Sequence, residues 1–374
     1  MRAEGGFARQ LLRSDLVLIA AALIASGLGA VLVHSATRAD SGSAYLVRHL
    51  LNLGIGLLLA LLVVRLDRSV LRTLAPFVYL AGVLGLGLVL TPLGSEINGS
   101  RSWIQLPGGF SVQPSELAKV GLCVALPMLL APAAERRQRP RAREILLAGA
   151  VTGVPVLLVM AQPDLGSALV LVALALGVLV VSGASWPWLA GVLLAGVGAV
   201  TAAFTTPLLS PYQRDRLTAF LDPAADPLGI GYQTQQVRRA IAGGGWGGQG
   251  LHTGDLTSSG AIPFQETDFV FSAAGEELGF VGAAFVVLLL GLLVARIALA
   301  GTRTEDPFVR LVCWAVAAWF AVQSVENIGM NLGLLPVTGL PLPFLSYGGS
   351  SMFACWAAVG IVVAVTRPPE RRRT

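Results

Sequence analysis

The sequence predicts an all-α, polytopic integral membrane protein with about ten transmembrane helices and a large fourth external loop. Composition is the first observation. Of the 374 residues 55% are hydrophobic and 13% charged, with a mean hydropathy of +0.73, against roughly 25% charge in soluble domains. The second is that apolar residues gather in runs of about 17–25, enough to cross a bilayer as helix. The third is a lopsided distribution of arginine between the connections.

The runs centre, in order, on Leu16–Ser35, Leu46–Val64, Leu71–Leu90, Ser115–Leu130, Ile145–Met160, Leu165–Val181, Trp186–Phe204, Phe269–Ala298, Val309–Leu332 and Ser351–Val365. The first follows a basic, polar start and is long enough to span, so it reads as a helix rather than a cleavable signal. The fourth and sixth begin just after Gln113-Pro114 and Gln162-Pro163, and proline suits the first helical turn. The eighth is long enough to tilt or to project beyond the membrane. Cys123, Cys313 and Cys355 lie in apolar runs without ligand or pairing spacing and read as small core residues. Three scattered histidines offer no transition-metal site. No internal repeat is evident, which weighs against an inverted-repeat transporter. The net charge of +5 is compatible with anionic partners, but in a membrane protein its distribution matters more than its total, and no nucleic-acid partner is expected.

Arginine sets the expected orientation. Arg2, Arg9 and Arg13 precede the first run, and Arg65, Arg68 and Arg72 lie in the second loop. Arg136, Arg137, Arg139, Arg141 and Arg143 crowd the fourth. Arg296, Arg303 and Arg310 flank the eighth, and Arg367, Arg371, Arg372 and Arg373 end the chain. Together 18 of the 25 arginines share one side, so both termini are expected to be cytoplasmic. The external side then holds the loop Thr91–Gln113, a long loop from about Thr206 to Thr267 and the Pro-rich Gly333–Gly349. A loop as long as the second is expected to be functional. It carries a helical stretch at Gln233–Ala242 and the run Gly243-Gly-Gly-Trp-Gly-Gly-Gln-Gly250.

Lys119 is the sole lysine. Pro114 and Ser115 start a helix, so Glu116 and Lys119, three apart, share a face. A charge in mid-bilayer costs roughly 2.5–3.5 kcal/mol unless paired or facing a wet cavity. Lys119 is thus either a site cation, compact where arginine is planar, or a residue that snorkels to the interface. Asp268 stands where the long loop enters the eighth run. A half-buried carboxylate there would have a raised pKa and could take a proton from a substrate hydroxyl; the plainer alternative is a helix cap. Glu276 and Glu277 lie two turns deeper, where they could pair with Lys119 or an arginine or tie helices together. Asp164 and Glu116 each follow a Gln-Pro helix start, and a capping role is the simpler reading for Asp164. Glu326, Asn327 and Asn331 either line a cavity or bond between helices. Ser346, Gly348 and Gly349, in Leu345-Ser-Tyr-Gly-Gly-Ser-Ser351, open the last helix, where exposed N–H groups could hold phosphate oxygens. Arg48, Arg101 and Arg216 are among seven external arginines suited to bidentate phosphate contact.

Taken together, several of these segments resemble the SEDS family (shape, elongation, division and sporulation) over nearly the whole chain, as one membrane domain spanning residues 1–374. The carriers are Gln113-Pro-Ser-Glu-Leu-Ala-Lys119, Gln162-Pro-Asp-Leu-Gly166, Asp226-Pro-Leu-Gly-Ile-Gly-Tyr-Gln233, Thr267-Asp-Phe-Val-Phe271 with Glu276-Glu-Leu-Gly279, and Leu334-Leu-Pro-Val-Thr-Gly-Leu-Pro-Leu-Pro343 running into Ser346-Tyr-Gly-Gly-Ser350. The short tail and the Asp222–Gly250 region resemble the elongation branch, RodA, more than the division branch, FtsW. Where the family usually reads Pro-Glu-x-x-Thr-Asp-Phe, this chain has Phe264 after Pro263, with Glu266 instead.

The resemblance implies a peptidoglycan glycosyltransferase that polymerises lipid II in a bacterial inner membrane, with its active site facing outside. Asp268 is the family's essential aspartate. Its expected substrate neighbours are Glu116, Lys119, Arg48, Arg101, Asp164, Arg216, Glu326, Asn327, Ser346, Gly348 and Gly349. No cofactor is certain, although a divalent cation, Mg or Mn, could assist. Expected partners are lipid II, the growing glycan strand, a class B penicillin-binding protein and an elongation complex with bacterial actin-linked proteins. A lipid II flippase and a non-catalytic scaffold are the competing readings.

Overall fold

The computed structural model describes residues 15–97, 100–106, 110–205, 211–222 and 229–367. The arginines before Asp15 and after Arg367, and the Asp226 motif residues up to Leu228, lie outside the described residues. Each of the ten apolar runs forms a helix: α1 (Leu16–Ser41), α2 (Ala44–Val64), α3 (Arg68–Val89), α4 (Pro114–Glu135), α5 (Ala142–Met160), α6 (Leu165–Val181), α7 (Trp186–Thr205), α11 (Val270–Thr302), α12 (Pro307–Asn331) and α13 (Gly349–Thr366). Eight are long and apolar enough to cross a membrane, while α6 and the start of α7 are shorter apolar helices.

Proline at the first positions of α4 and α12 costs no helical hydrogen bond. The Asp15, Asp164 and Asp306 carboxylates accept first-turn N–H groups of α1, α6 and α12. Burial divides the helices by role. Most of α4 (72%), α12 (67%) and α13 (78%) is buried, whereas α2, α3 and α5 are at 22–28% and turn exposed leucines and valines outward. In a bilayer such faces meet lipid, not water. The centre is therefore α4, α12 and α13, with α6 and α11 packed against α12, α2 against α13 and α3 against α4.

The loop Thr91–Gln113 departs from the all-helical expectation. It holds a small antiparallel sheet in the order β1 (Ser95–Ile97), β2 (Ser100–Leu106), β3 (Phe110–Val112). Its alternation is too short to stand out beside twenty-residue apolar runs. The long external loop forms three short helices, α8 (Pro211–Leu221), α9 (Ile230–Gly243) and α10 (Asp255–Ser258), in keeping with the helical pattern read at Gln233–Ala242.

The length of α11 has a different cause from tilt. Gly279 has φ 66° and ψ −165°, so the helix breaks there. The Gly-rich run enters the break and replaces the lost ladder. Gln249 N–H donates to the Glu276 carbonyl (2.9 Å) and Gly250 N–H to Glu277 (3.0 Å), while Phe280 N–H donates to Gly245 (2.8 Å) and Val281 N–H to Trp246 (3.3 Å). Backbone groups at membrane depth must be satisfied internally. A Cβ on Gly248 would stand 2.1 Å from the Glu277 carbonyl oxygen, which is why glycine is needed there.

Among the described residues Glu276 and Glu277 do not pair with Lys119 or an arginine. Glu276 accepts the Leu256 and Thr257 N–H groups (2.8 and 2.9 Å) and the Thr257 hydroxyl (2.6 Å). Glu277 accepts the His252 N–H (3.0 Å) and the Ser35 hydroxyl (2.5 Å). Both tie the external loop to the bundle.

Candidate active site

A cavity of about 280 Å³ opens at the bundle end where α4, α6, α11 and α13 begin. Its wall includes Arg48, Asn52, Asp164, Arg216, Asp268 and Gly349. Of the residues expected at a site, Arg48, Asp164, Arg216, Asp268, Gly348 and Gly349 meet there.

Asp268 is half-buried and is not a helix cap: α11 starts after Phe269 without any side-chain cap. Its carboxyl is pushed up to about 6, chiefly by desolvation. The Arg216 cation and a hydrogen bond from Thr267 pull it down, and Glu266 and Asp164 add to the rise. Its backbone is held firmly. Asp268 N–H donates to the Phe264 carbonyl (3.0 Å), and the Asp268 carbonyl accepts from Asn327 (2.9 Å) and Asn331 (3.2 Å). Asn327 also donates to the Leu340 carbonyl (2.7 Å), binding the Pro-rich loop to the same point. Asn327 and Asn331 thus position Asp268 and do not line the cavity.

Arg216 donates to the Thr338 carbonyl (2.7 Å). Beside it Gly339 has φ +79°, and a Cβ there would lie 3.4–3.5 Å from the two terminal guanidinium nitrogens of Arg216 and 3.5 Å from Asp268 Oδ2. Asp164 takes the expected capping role and also lies on the cavity wall. It caps α6 by accepting from Ser167 N–H (2.9 Å), and its second oxygen accepts from Gln113 (3.3 Å) at the cavity wall. The start of α13, Gly348 and Gly349, faces the cavity, and its N-terminal dipole favours negative charge there.

Besides Asn327, five of the residues expected next to substrate lie off the cavity wall. Lys119 is completely buried and absent from the cavity wall. It donates to Glu116 (2.8 Å) and to Gln323 Oε1 (2.9 Å), 5.1 Å from the Trp319 ring centre. Each charge thus has a complementary partner inside the bundle, and neither Lys119 nor Glu116 lies on the cavity wall. Gln323 in turn donates to the carbonyl of cavity-lining Pro341 (2.8 Å). The pair therefore acts on the cavity wall from behind, a link through a neutral glutamine that no charge pattern reveals. Arg101 lies exposed on β2 away from the wall, and Ser346 is buried, its hydroxyl accepting from Leu342 N–H (2.8 Å). Glu326 is buried near Thr338, off the wall.

Asn52 was missed. It is buried on the membrane helix α2, lines the cavity, and its Oδ1 has no hydrogen-bond partner among the described residues. One asparagine in a leucine-rich run was its only signal.

Among the described residues no group of three or more His, Cys, Asp or Glu could hold a metal. Asp164 and Asp268 are a donor set suited to a hard cation that takes most of its ligands from water and substrate phosphate.

Comparison with known proteins follows the same lines. The chain matches the FtsW/RodA/SpoVE family, described as cell cycle proteins, over residues 14–370. It is 35% identical to the probable peptidoglycan glycosyltransferase FtsW of Trichlorobacter lovleyi, covering 96% of this chain and 94% of that protein. With the FtsW of Nitrosococcus halophilus it shares 38% identity, over 96% and 94%. Among solved structures, a chain from a study of how a peptidoglycan synthase complex coordinates polymerisation and crosslinking superposes with TM-score 0.79, 38% identity and coverage of 95% and 98%. The rod shape-determining protein RodA of Thermus thermophilus gives 0.70, 34%, and 95% and 97%. The chain belongs to the FtsW/RodA/SpoVE family of polytopic membrane proteins, the SEDS family.

Proposed function

We propose that this protein is a peptidoglycan glycosyltransferase that polymerises lipid II, with Asp268 as general base. The observation that carries the reading is Asp268 itself, a carboxylate of raised pKa held by two asparagines on the wall of a cavity that also presents Arg48, Arg216 and a helix N-terminus.

Asp268 takes the proton from the 4-hydroxyl of the acceptor GlcNAc. The oxygen attacks C1 of the lipid-linked MurNAc in line, the bond from C1 to the pyrophosphate oxygen breaks, and undecaprenyl pyrophosphate leaves with the electron pair. C1 inverts from α to β. Base assistance of this kind is worth about 10²–10⁴-fold. The leaving group needs positive charge more than a strong acid, which Arg48, Arg216 and the N–H groups opening α13 are placed to supply. A Mg or Mn ion bound by Asp164 and Asp268 would add charge compensation for the pyrophosphate. Lys119 holds the Pro341 wall through Gln323.

By the arginine rule the cavity faces the outside of the inner membrane and both termini lie in the cytoplasm. The superposition with a chain of a synthase complex supports a crosslinking class B penicillin-binding protein as partner. The superposition with a RodA leaves an elongation role within an actin-linked complex as one reading, and the FtsW names of the curated relatives favour division; complementation of elongation-depleted and division-depleted cells separates the two. The purified protein should convert lipid II to muramidase-sensitive polymer. A flippase would move lipid II across vesicles and make none.

A further inference from the structure

At the bundle end opposite Asp268 lies an open cavity of about 730 Å³ that catalysis does not use. The α4–α5 loop contributes Arg137 and Arg139, the first turn of α12 contributes Arg310, and Ser185 and Trp186 open α7 on the same wall. No carboxylate lines it, and none of the three guanidinium groups has a side-chain ion pair among the described residues. Their neighbours differ. Arg136 pairs with Glu144 at 2.8 Å, and Arg296 with Asp15 at 2.6 Å.

Membrane topology requires only that arginines lie in this loop. It does not require them to converge on one cavity with a residue from a distant helix. Arg310 also carries a local cost: although Asp306 caps the start of α12, the Arg310 Nε is buried without an acceptor among the described residues. A bound anion offsets it. The start of the twenty-residue α7 adds a positive helix end on the same wall.

We propose that this cavity binds the phosphodiester headgroup of an anionic membrane lipid. Guanidinium forks match phosphate oxygens bidentately, and basic pockets between membrane helices are where such headgroups bind. Trp186 selects a lipid over free phosphate. It is 74% exposed and is followed by Pro187-Trp188, an aromatic placement typical of the bilayer interface. Val181 and Ala184 supply an apolar flank for the glycerol and upper acyl chain.

The test is native mass spectrometry of the full-length, delipidated protein titrated with phosphatidylglycerol or phosphatidylcholine. The wild type should retain phosphatidylglycerol preferentially. Each of R137Q, R139Q and R310Q should weaken retention about five-fold. R143Q, in the first turn of α5 and off the cavity, should retain it as wild type does, and R310K should keep most of it. If a glutamine variant does not fold, the R143Q and R310K pair still decides the matter. Equal retention of the two lipids, loss in R143Q equal to that in R139Q, or displacement of the lipid by millimolar inorganic phosphate would each overturn the proposal, the last assigning the cavity to free phosphate.

Discussion

Arg216 and Asp268 approach the same point, the Cβ position that Gly339 leaves empty, with guanidinium nitrogens and Oδ2 all 3.4–3.5 Å from it. The arginine lowers a carboxyl that burial raises, so the charge state of the base rests on this meeting.

The first prediction concerns pH. With Asp268 near 6, the polymerisation rate should fall on an acid limb centred there, because only the carboxylate accepts a proton. Arg216→Gln removes the lowering influence and should move the limb to higher pH. Unfolding does not explain the limb. A folded pKa raised from 3.8 means that the fold binds the proton more tightly than the unfolded chain, so this group's contribution to stability grows as pH falls through 6. Rate profiles of the two proteins, with thermal melts at each pH, check this.

Gly339→Ala should cost activity more than its size implies. The positive φ costs an L-residue about 1–3 kcal/mol, and the methyl group would fill the space between Arg216 and Asp268 at van der Waals contact with both. We expect at least a ten-fold lower kcat with the bundle still folded. The steady-state rate and circular dichroism of the purified variant measure both.

Lys119→Met leaves Glu116 as a buried charge without its cation, a loss of about 3–5 kcal/mol. Lys119→Arg should rescue poorly, since a planar fork does not fit between Glu116 and Gln323. The double change Glu116→Gln with Lys119→Met should recover much of the melting temperature. A Lys119→Met protein as stable as wild type would return Lys119 to the role of substrate cation.

Asn327→Ala removes donors to both the Asp268 and the Leu340 carbonyls. It should lower kcat with little change in KM for lipid II, the mark of a misplaced base. Initial rates across a lipid II series separate the two constants.

The helices were legible because a bilayer imposes a length and an apolar composition that little else produces. Asp268, Asp164 and the glycines opening α13 were legible too, as polar residues at the mouths of apolar runs. Lys119 was conspicuous for the same reason, but its depth was not readable: three residues from Glu116 on one face fits both a cavity cation and a buried pair. Distances to Gln323 and Trp319, some two hundred residues away, decide between them. The break at Gly279 was hidden because Glu276-Glu-Leu-Gly279 reads as continuous helix, and only the Gly243–Gly250 run packed against it shows why the glycines are there.

The central claim is that Asp268 is the base, and Asp268→Asn tests it most directly, because the amide keeps the shape and removes the basicity. In a purified assay with lipid II the variant should melt near the wild-type temperature and polymerise at least about 100-fold more slowly. A folded Asp268→Asn protein that polymerises within a few-fold of the wild-type rate would contradict the account.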